Sequence, residues 1–278
     1  MANRSLRFHV GAQIGIAWII LMLGLTALGL TMSADYVLNI DLAHRLQPPL
    51  MFGGNSVNIL GTDELGRDMA ARLIKSIEVS AGIAFCATLL GLFIGTAAGF
   101  VAAEARGVLD QLVQGLIDFQ ASVPFLIIAL TLLAFFGNSI VLFVCLMSLH
   151  GWERHARVAR SMAMEANALG YASAVRQLGA NTMRVYALHI LPNIAGPLIV
   201  SATLAFPEIV LLESGLSFLG LGVQPPLTSL GAMVGFGRDY IDVAPWMVLL
   251  PSAAILLTTL SINLVGDWLQ DWLAPRRR

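Results

Sequence analysis

The sequence is poor in charge. Asp, Glu, Lys and Arg make up 12% of its 278 residues, about half the share of an ordinary soluble domain, and this scarcity speaks against a water-soluble fold. A net charge of -1 leaves no basic excess of the kind that binds nucleic acid. Cysteine is nearly absent: Cys86 and Cys145 each stand alone inside an apolar run, as packing residues rather than metal ligands or a spaced pair. No G-x-x-x-x-G-K-[ST] loop occurs, so the chain has no visible nucleotide site of its own. Neither H-E-x-x-H nor G-x-S-x-G occurs and the five histidines are scattered, which argues against an intramembrane enzyme. His150 and His155, on either side of Trp152, read as interfacial. No cofactor or metal is expected in this chain.

What is abundant is apolar sequence, 57% of residues, with a mean hydropathy of +0.79. It comes in blocks at about 11–32, 79–103, 113–136, 139–158, 193–213 and 245–265, most of them near the 20 residues a helix needs to cross hydrocarbon. The first block is too long for a signal-peptide core and lacks an A-x-A-like site, so it reads as a retained span. The fourth is the weakest, because its fully apolar part stops at Gly151 and Trp152, Glu153 and Arg154 must then lie at an interface. The expectation is an all-α membrane protein of about six transmembrane helices. Positive charge sets its orientation. With both ends inside, the cytoplasmic segments hold Arg4, Arg7, Arg106, Arg154, Arg157, Arg160, Arg176, Arg184 and Arg276 to Arg278; the outer ones hold Arg45, Arg67, Arg72, Lys75 and Arg238.

The connectors carry the finer signals. The outer loop, about 33–78, ends in Gly61-Thr62-Asp63-Glu64-Leu65-Gly66-Arg67-Asp68, a turn from which Asp68 is expected to cap a short amphipathic helix on the membrane surface. Gly91, Gly95 and Gly99 recur every four residues and predict a close helix approach. Asp118 lies about one turn inside the third span, and Pro124 predicts a kink there. In the connector 159–191, Tyr171, Ala174, Val175 and Leu178 fall at i, i+3, i+4 and i+7, the apolar stripe of a two-turn helix stopped by Gly179. A second stretch from Asn181 carries Met183, Tyr186 and Ile190 and should end at Leu191-Pro192, where proline suits the start of the next span. So short a helix needs a surface over its apolar stripe, either the chain's own spans or a partner. Glu208 and Glu213 are the acidic residues of the fifth span, about 140° apart around a helix, so they cannot line one narrow path together. Glu213 should face the bundle or the subunit interface and brace the outer end through hydrogen bonds, because a charged carboxylate facing lipid at mid-membrane costs about 2.5–3.5 kcal/mol.

At the cytoplasmic connector the sequence resembles the permeases of ATP-binding-cassette importers. Their pattern, E-A-A, three residues, Gly, nine residues, Ile, one residue, Leu-Pro, is matched by Ser173-Ala174-Val175, Gly179, His189 and Leu191-Pro192, with Ser173 in place of Glu and His189 in place of Ile. The likeness to the dipeptide, oligopeptide and nickel branch runs from residue 60 onward. It passes through Gly61-Thr62-Asp63, Gly66-Arg67-Asp68, Glu213 with Leu216 to Gly222, Pro225-Pro226, Gly231-Ala232-Met233, Ala244-Pro245-Trp246, and Asn263 with Gly266-Asp267. Leu230, Gln270 and Ala274 depart from residues usual in the branch.

The resemblance implies a type I importer permease fold and a second-type permease subunit that forms half of the pore. Its implied partners are a homologous second permease, two ATPase subunits that bind ATP and Mg, an external substrate-binding protein and membrane lipid. Residues 1–78 would form the tail, first span and outer loop; 79–278 would form a five-helix core whose loop 159–191 holds the coupling helix. Tyr171, Ala174, Val175, Leu178, Gly179, Leu191 and Pro192 would contact the ATPase; Asp118, Glu208 and Glu213 are the polar residues of the bundle or gate. The cargo could be a peptide, nickel chelate, opine or glutathione-like compound. On composition alone, a stand-alone secondary transporter or channel is the alternative; an exporter is disfavoured by the short connectors.

Overall fold

The computed structural model describes residues 2–33 and 37–273, with the side chains of 2–9, Tyr171 and Ser173 outside that set. The described residues are helical apart from loops and one isolated antiparallel bridge between Thr62 and Asp68. In chain order, α1 is Ala2–Thr31, α2 Met69–Ala105, α3 Gly107–Ser122, α4 Phe125–Phe136, α5 Ile140–Ser148, α6 Trp152–Ala168 and α7 Tyr171–Gln177. α8 (Thr182–Val185), a π-helical turn (Tyr186–Ile190) and α9 (Leu191–Phe218) follow one another without a break. α10 (Leu230–Gly237) and α11 (Trp246–Leu273) complete the chain.

Among the described residues four helices are long and apolar enough to cross a membrane: Val10–Thr31, Met69–Ala105, Thr182–Phe218 and Trp246–Leu273. A fifth crossing is formed if α3 and α4 count as one broken span, bent by 89°. The bend lies at Val123-Pro124, where the proline ring forbids the helical ladder, so the kink expected from sequence is a right-angled break. The block at 139–158 is not one span. α5 has 9 residues, about 14 Å of helix against about 30 Å of hydrocarbon. Gly151 then turns the chain at φ 90 into α6, which continues to Ala168 through what the sequence presented as connector.

Two further expectations change. The amphipathic helix before the second span is not separate: Asp68 does cap it, accepting from the Ala70 amide at 3.0 Å, but the capped helix is α2 itself, 37 residues long. In its first turns Arg72 and Ser76 find buried partners inside the protein. The boundary drawn between 78 and 79 therefore falls within α2. The helix begun at Asn181 does not stop at Leu191-Pro192 either. Pro192 offers no N–H to the preceding turn, and the chain widens to a π turn, with the Leu191 amide bonded to the Tyr186 carbonyl, and carries on into α9.

The glycine stripe sets the packing at the centre. A Cβ on Gly91 would lie 2.8 Å from the Ser148 carbonyl oxygen and one on Gly99 2.5 Å from that of Ala156; at Gly95 the Trp152 carbonyl is closer still. Backbone meets backbone here, so α2 and the α5–α6 segment form one block. Ile83, Leu133, Phe143, Met147 and Ile209 fill one buried cluster beside it, and Ala163, Val185, Ile190, Ile194 and Leu198 fill another toward the connector 159–191. α1 lies against α11, held by Trp18 Nε1 donating to Thr258 Oγ1 at 3.1 Å.

Candidate functional site

Two polar centres lie at opposite ends of α2. At the first, Asn181 caps α8 by accepting from the Arg184 amide, and Gly179 turns the chain between α7 and α8 at φ +90, a conformation that costs other residues about 1–2 kcal/mol. The apolar stripe of α7 is divided between two surfaces. Val175 packs with buried Ala172 into the cluster of Ala163, Val185 and Ile190, whereas Ala174 is exposed and Leu178 is 88% exposed. Leu169 and Met183, on either side of α7 in sequence, are exposed too. The loop is thus anchored through one side and bare on the other. The side chain of Tyr171 is outside the described set; Leu191 and Pro192 lie exposed just beyond the π turn.

Beneath α7 lies a polar knot that the sequence reading missed. Glu104, in the last turn of α2, accepts from Arg176 Nη2 at 2.6 Å and from the Tyr186 hydroxyl at 3.1 Å. Asn167 of α6 donates to the Tyr186 oxygen at 3.1 Å. Tyr186 also stacks obliquely on Phe100, ring centres 4.9 Å apart. A basic residue in the last turn of a two-turn helix was the available signal, but its partner is 72 positions away.

At the other end, Glu213 is wholly buried. Its carboxylate accepts from Ser217 Oγ at 2.7 Å, from Ser80 Oγ of α2 at 3.0 Å and from Ser214 Oγ at 3.4 Å. Two of these hydroxyls also accept backbone amides: Ser80 from Leu230 at 3.1 Å and Ser217 from Val223 at 3.2 Å. One carboxylate thereby joins α2, α9, the loop after it and the start of α10. Ser76 of α2 meets Thr228 of the same loop at 3.1 Å.

The turn 61–68 supplies a second buried knot nearby. Asp63 is fully buried and accepts from Arg67 Nε at 2.6 Å, from Arg72 of α2, and from the amides of Leu65 and Arg67. Four donors on one carboxylate, two of them charged, offset the cost of taking the ions out of water. Thr62 ties the turn outward to the His44 carbonyl, and Trp246 at the start of α11 donates to the Thr62 carbonyl at 3.1 Å.

The remaining acidic residues are placed elsewhere. Glu208 pairs with Arg154 at 3.0 Å and is 43% exposed; Asp118 lies 3.6 Å from Arg157 and is 74% exposed. Glu208 and Glu213 point to different surroundings, as their spacing required. Among the described residues no group of His, Cys, Asp and Glu is arranged to hold a metal.

The sequence matches the family described as "Binding-protein-dependent transport system inner membrane component" over residues 78–278. It is 38% identical over 229 residues to the di/tripeptide transport system permease protein DppC of Pseudomonas aeruginosa, covering 82% of this chain and 76% of that one. It is 31% identical over 272 residues to the dipeptide transport system permease protein DppC of Haemophilus influenzae, covering 96% and 90%. In fold it resembles a chain of the MetNI methionine ABC transporter in an inward-facing conformation, with a TM-score of 0.55 and 19% identity over 73% of this chain and 97% of that chain. The family match and the apolar helices displace the stand-alone transporter or channel: the chain belongs to the binding-protein-dependent transport system inner membrane components, multi-pass permease subunits of ATP-binding-cassette importers.

Proposed function

We propose that this chain forms half of the pore of an ATP-driven importer whose cargo is a peptide or a small peptide-like solute. The observation that carries the reading is α7, a two-turn helix seated by Ala172 and Val175 and presenting Ala174 and a bare Leu178 outward. A large apolar side chain held in the open beside a glycine-fixed turn suits a groove on a partner protein. In this reading that partner is an ATPase subunit. Two such subunits bind ATP and Mg, a homologous permease completes the pore, and an external binding protein delivers cargo. The chain itself hydrolyses nothing.

Loop 159–191 and both termini face the cytoplasm, while 33–78 and 214–244 face outward, following the distribution of Lys and Arg. On this arrangement the Glu213 and Asp63 knots belong to the outer gate. Approach of the ATPases would displace α7 and switch the pore between inward-open and outward-open states. The test is ATP hydrolysis by the purified chain, alone and after addition of its ATPase subunits. Hydrolysis only in the assembled complex supports the reading, and hydrolysis by the chain alone removes it. Cysteines placed at Asn55 and Asn181 should label from opposite sides of the membrane; labelling from the same side overturns the topology.

A further inference from the structure

The two polar centres share one helix, and this suggests how displacement of α7 reaches the outer end. Glu104 and Ser80 are 24 positions apart on α2, about 36 Å along the axis. α2 contains no proline, and its glycines at 91, 95 and 99 are pressed against the backbone of α5 and α6, so the stretch between the two centres has little freedom to bend. Its cytoplasmic end holds α7 through a single charged contact, Glu104 to Arg176 at 2.6 Å. The same carboxylate group is met by Tyr186 at 3.1 Å and by Thr182 at 3.4 Å, so Glu104 gathers α7, α8 and the π turn onto α2. Its outer end holds α9 through Ser80 with Glu213 and the loop after α9 through Ser76 with Thr228.

We propose that Glu104 is a positioning residue for transport: it clamps α7 to α2 through Arg176, so that α2 carries movement of α7 as a rigid bar to the Glu213 network. The proposal rests on α7 being the element the ATPase moves. The apolar seat of Ala172 and Val175 keeps α7 folded in place, and the ion pair makes it move with α2 rather than slide on that seat. The pair is about one-third exposed on each side, so its contribution to stability is small, and its removal should leave folding and docking intact.

The experiment uses the complete transporter in proteoliposomes, with a tripeptide as cargo, and reads cargo moved per ATP hydrolysed alongside ATPase retention by the purified complex. Glu104→Gln and Arg176→Gln should each lower cargo per ATP at least fivefold while ATPase retention stays within twofold of the unaltered protein. The double variant should be no worse than either single one, because both remove the same contact, and Glu104→Asp should recover part of the coupling. Normal coupling in Glu104→Gln, additive losses in the double variant, or loss of ATPase retention in either single variant would each overturn the proposal. The last would mean that the pair builds the docking surface rather than transmitting its motion. If the unaltered chain fails to retain any ATPase, the function proposed above fails first, and the two failures are thereby distinct.

Discussion

The two ends of α2 solve opposite problems with similar side chains. At its N-terminal end, Asp63 and Glu213 are fully buried and each accepts at least three hydrogen bonds, so the local structure is fixed by buried groups that hold one another. At its C-terminal end, Glu104 and Arg176 keep about a third of their surface exposed, and Leu178 is left almost bare. The difference teaches where the protein can yield. A knot of buried ions breaks as a whole when one member is lost, whereas a half-wet pair can be removed without unfolding anything.

The sharpest way to break the N-terminal end of α2 is Asp63→Asn, which leaves the buried Arg72 guanidinium without its counter-charge. Loss of one member of a buried pair costs about 3–5 kcal/mol, and the thermal midpoint of the detergent-solubilised protein should fall well below that of the unaltered chain; an unchanged midpoint would mean that Arg72 finds water or another acceptor. Glu213→Leu comes next. It strands the Ser80 and Ser217 hydroxyl donors at about 1–3 kcal/mol each, and transport of every cargo should fall alike, while Glu213→Gln keeps acceptors for part of the network and should be tolerated. If Glu213→Leu changes only which cargo is carried, Glu213 lines the pathway and is not a brace.

The C-terminal end of α2 should respond differently. Gly179→Val forces a β-branched residue to φ +90, which costs about 1–2 kcal/mol locally; ATPase retention should drop while the thermal midpoint barely moves. A large fall in midpoint instead would assign the turn to the chain's own core. The smallest effect is expected at Glu208→Gln. Its pair with Arg154 is more than two-fifths exposed on both sides and is worth about 0–1 kcal/mol, so stability and transport should both stay close to the unaltered chain. A marked loss would place Glu208 in the transport path.

How far these features could be read from sequence follows from the range of the interactions. The Asp68 cap, the break at Pro124, the close approach at Gly91, Gly95 and Gly99, and the turn at Gly179 are local or carried by one residue type, and each was legible. Helix ends were less so. Pro192 looked like a start signal, yet a π turn carries the helix past it, and the residues before the second span read as a surface helix although Arg72 meets Asp63 nine positions away and Ser76 meets Thr228 at a separation of 152. The partners of Glu213 include Ser80, 133 positions away, and Arg176 meets Glu104 at a separation of 72. Serine and tyrosine in apolar runs give no sign of which carboxylate they will meet. The division of the α7 stripe, Val175 inward and Leu178 outward, was likewise undetermined, since periodicity places residues on one side of a helix without saying what covers each of them.

The central claim is that the bare side of α7 is where the ATPase docks. It is tested most directly by the affinity of the ATPase subunits for this chain and its companion permease in nanodiscs, comparing the unaltered protein with Leu178→Asp. Burying a leucine of this exposure contributes about 1.5–3 kcal/mol, so Leu178→Asp should weaken ATPase binding by roughly tenfold or more while the thermal midpoint of the permease pair is unchanged. Equal affinity for the two proteins would contradict the account.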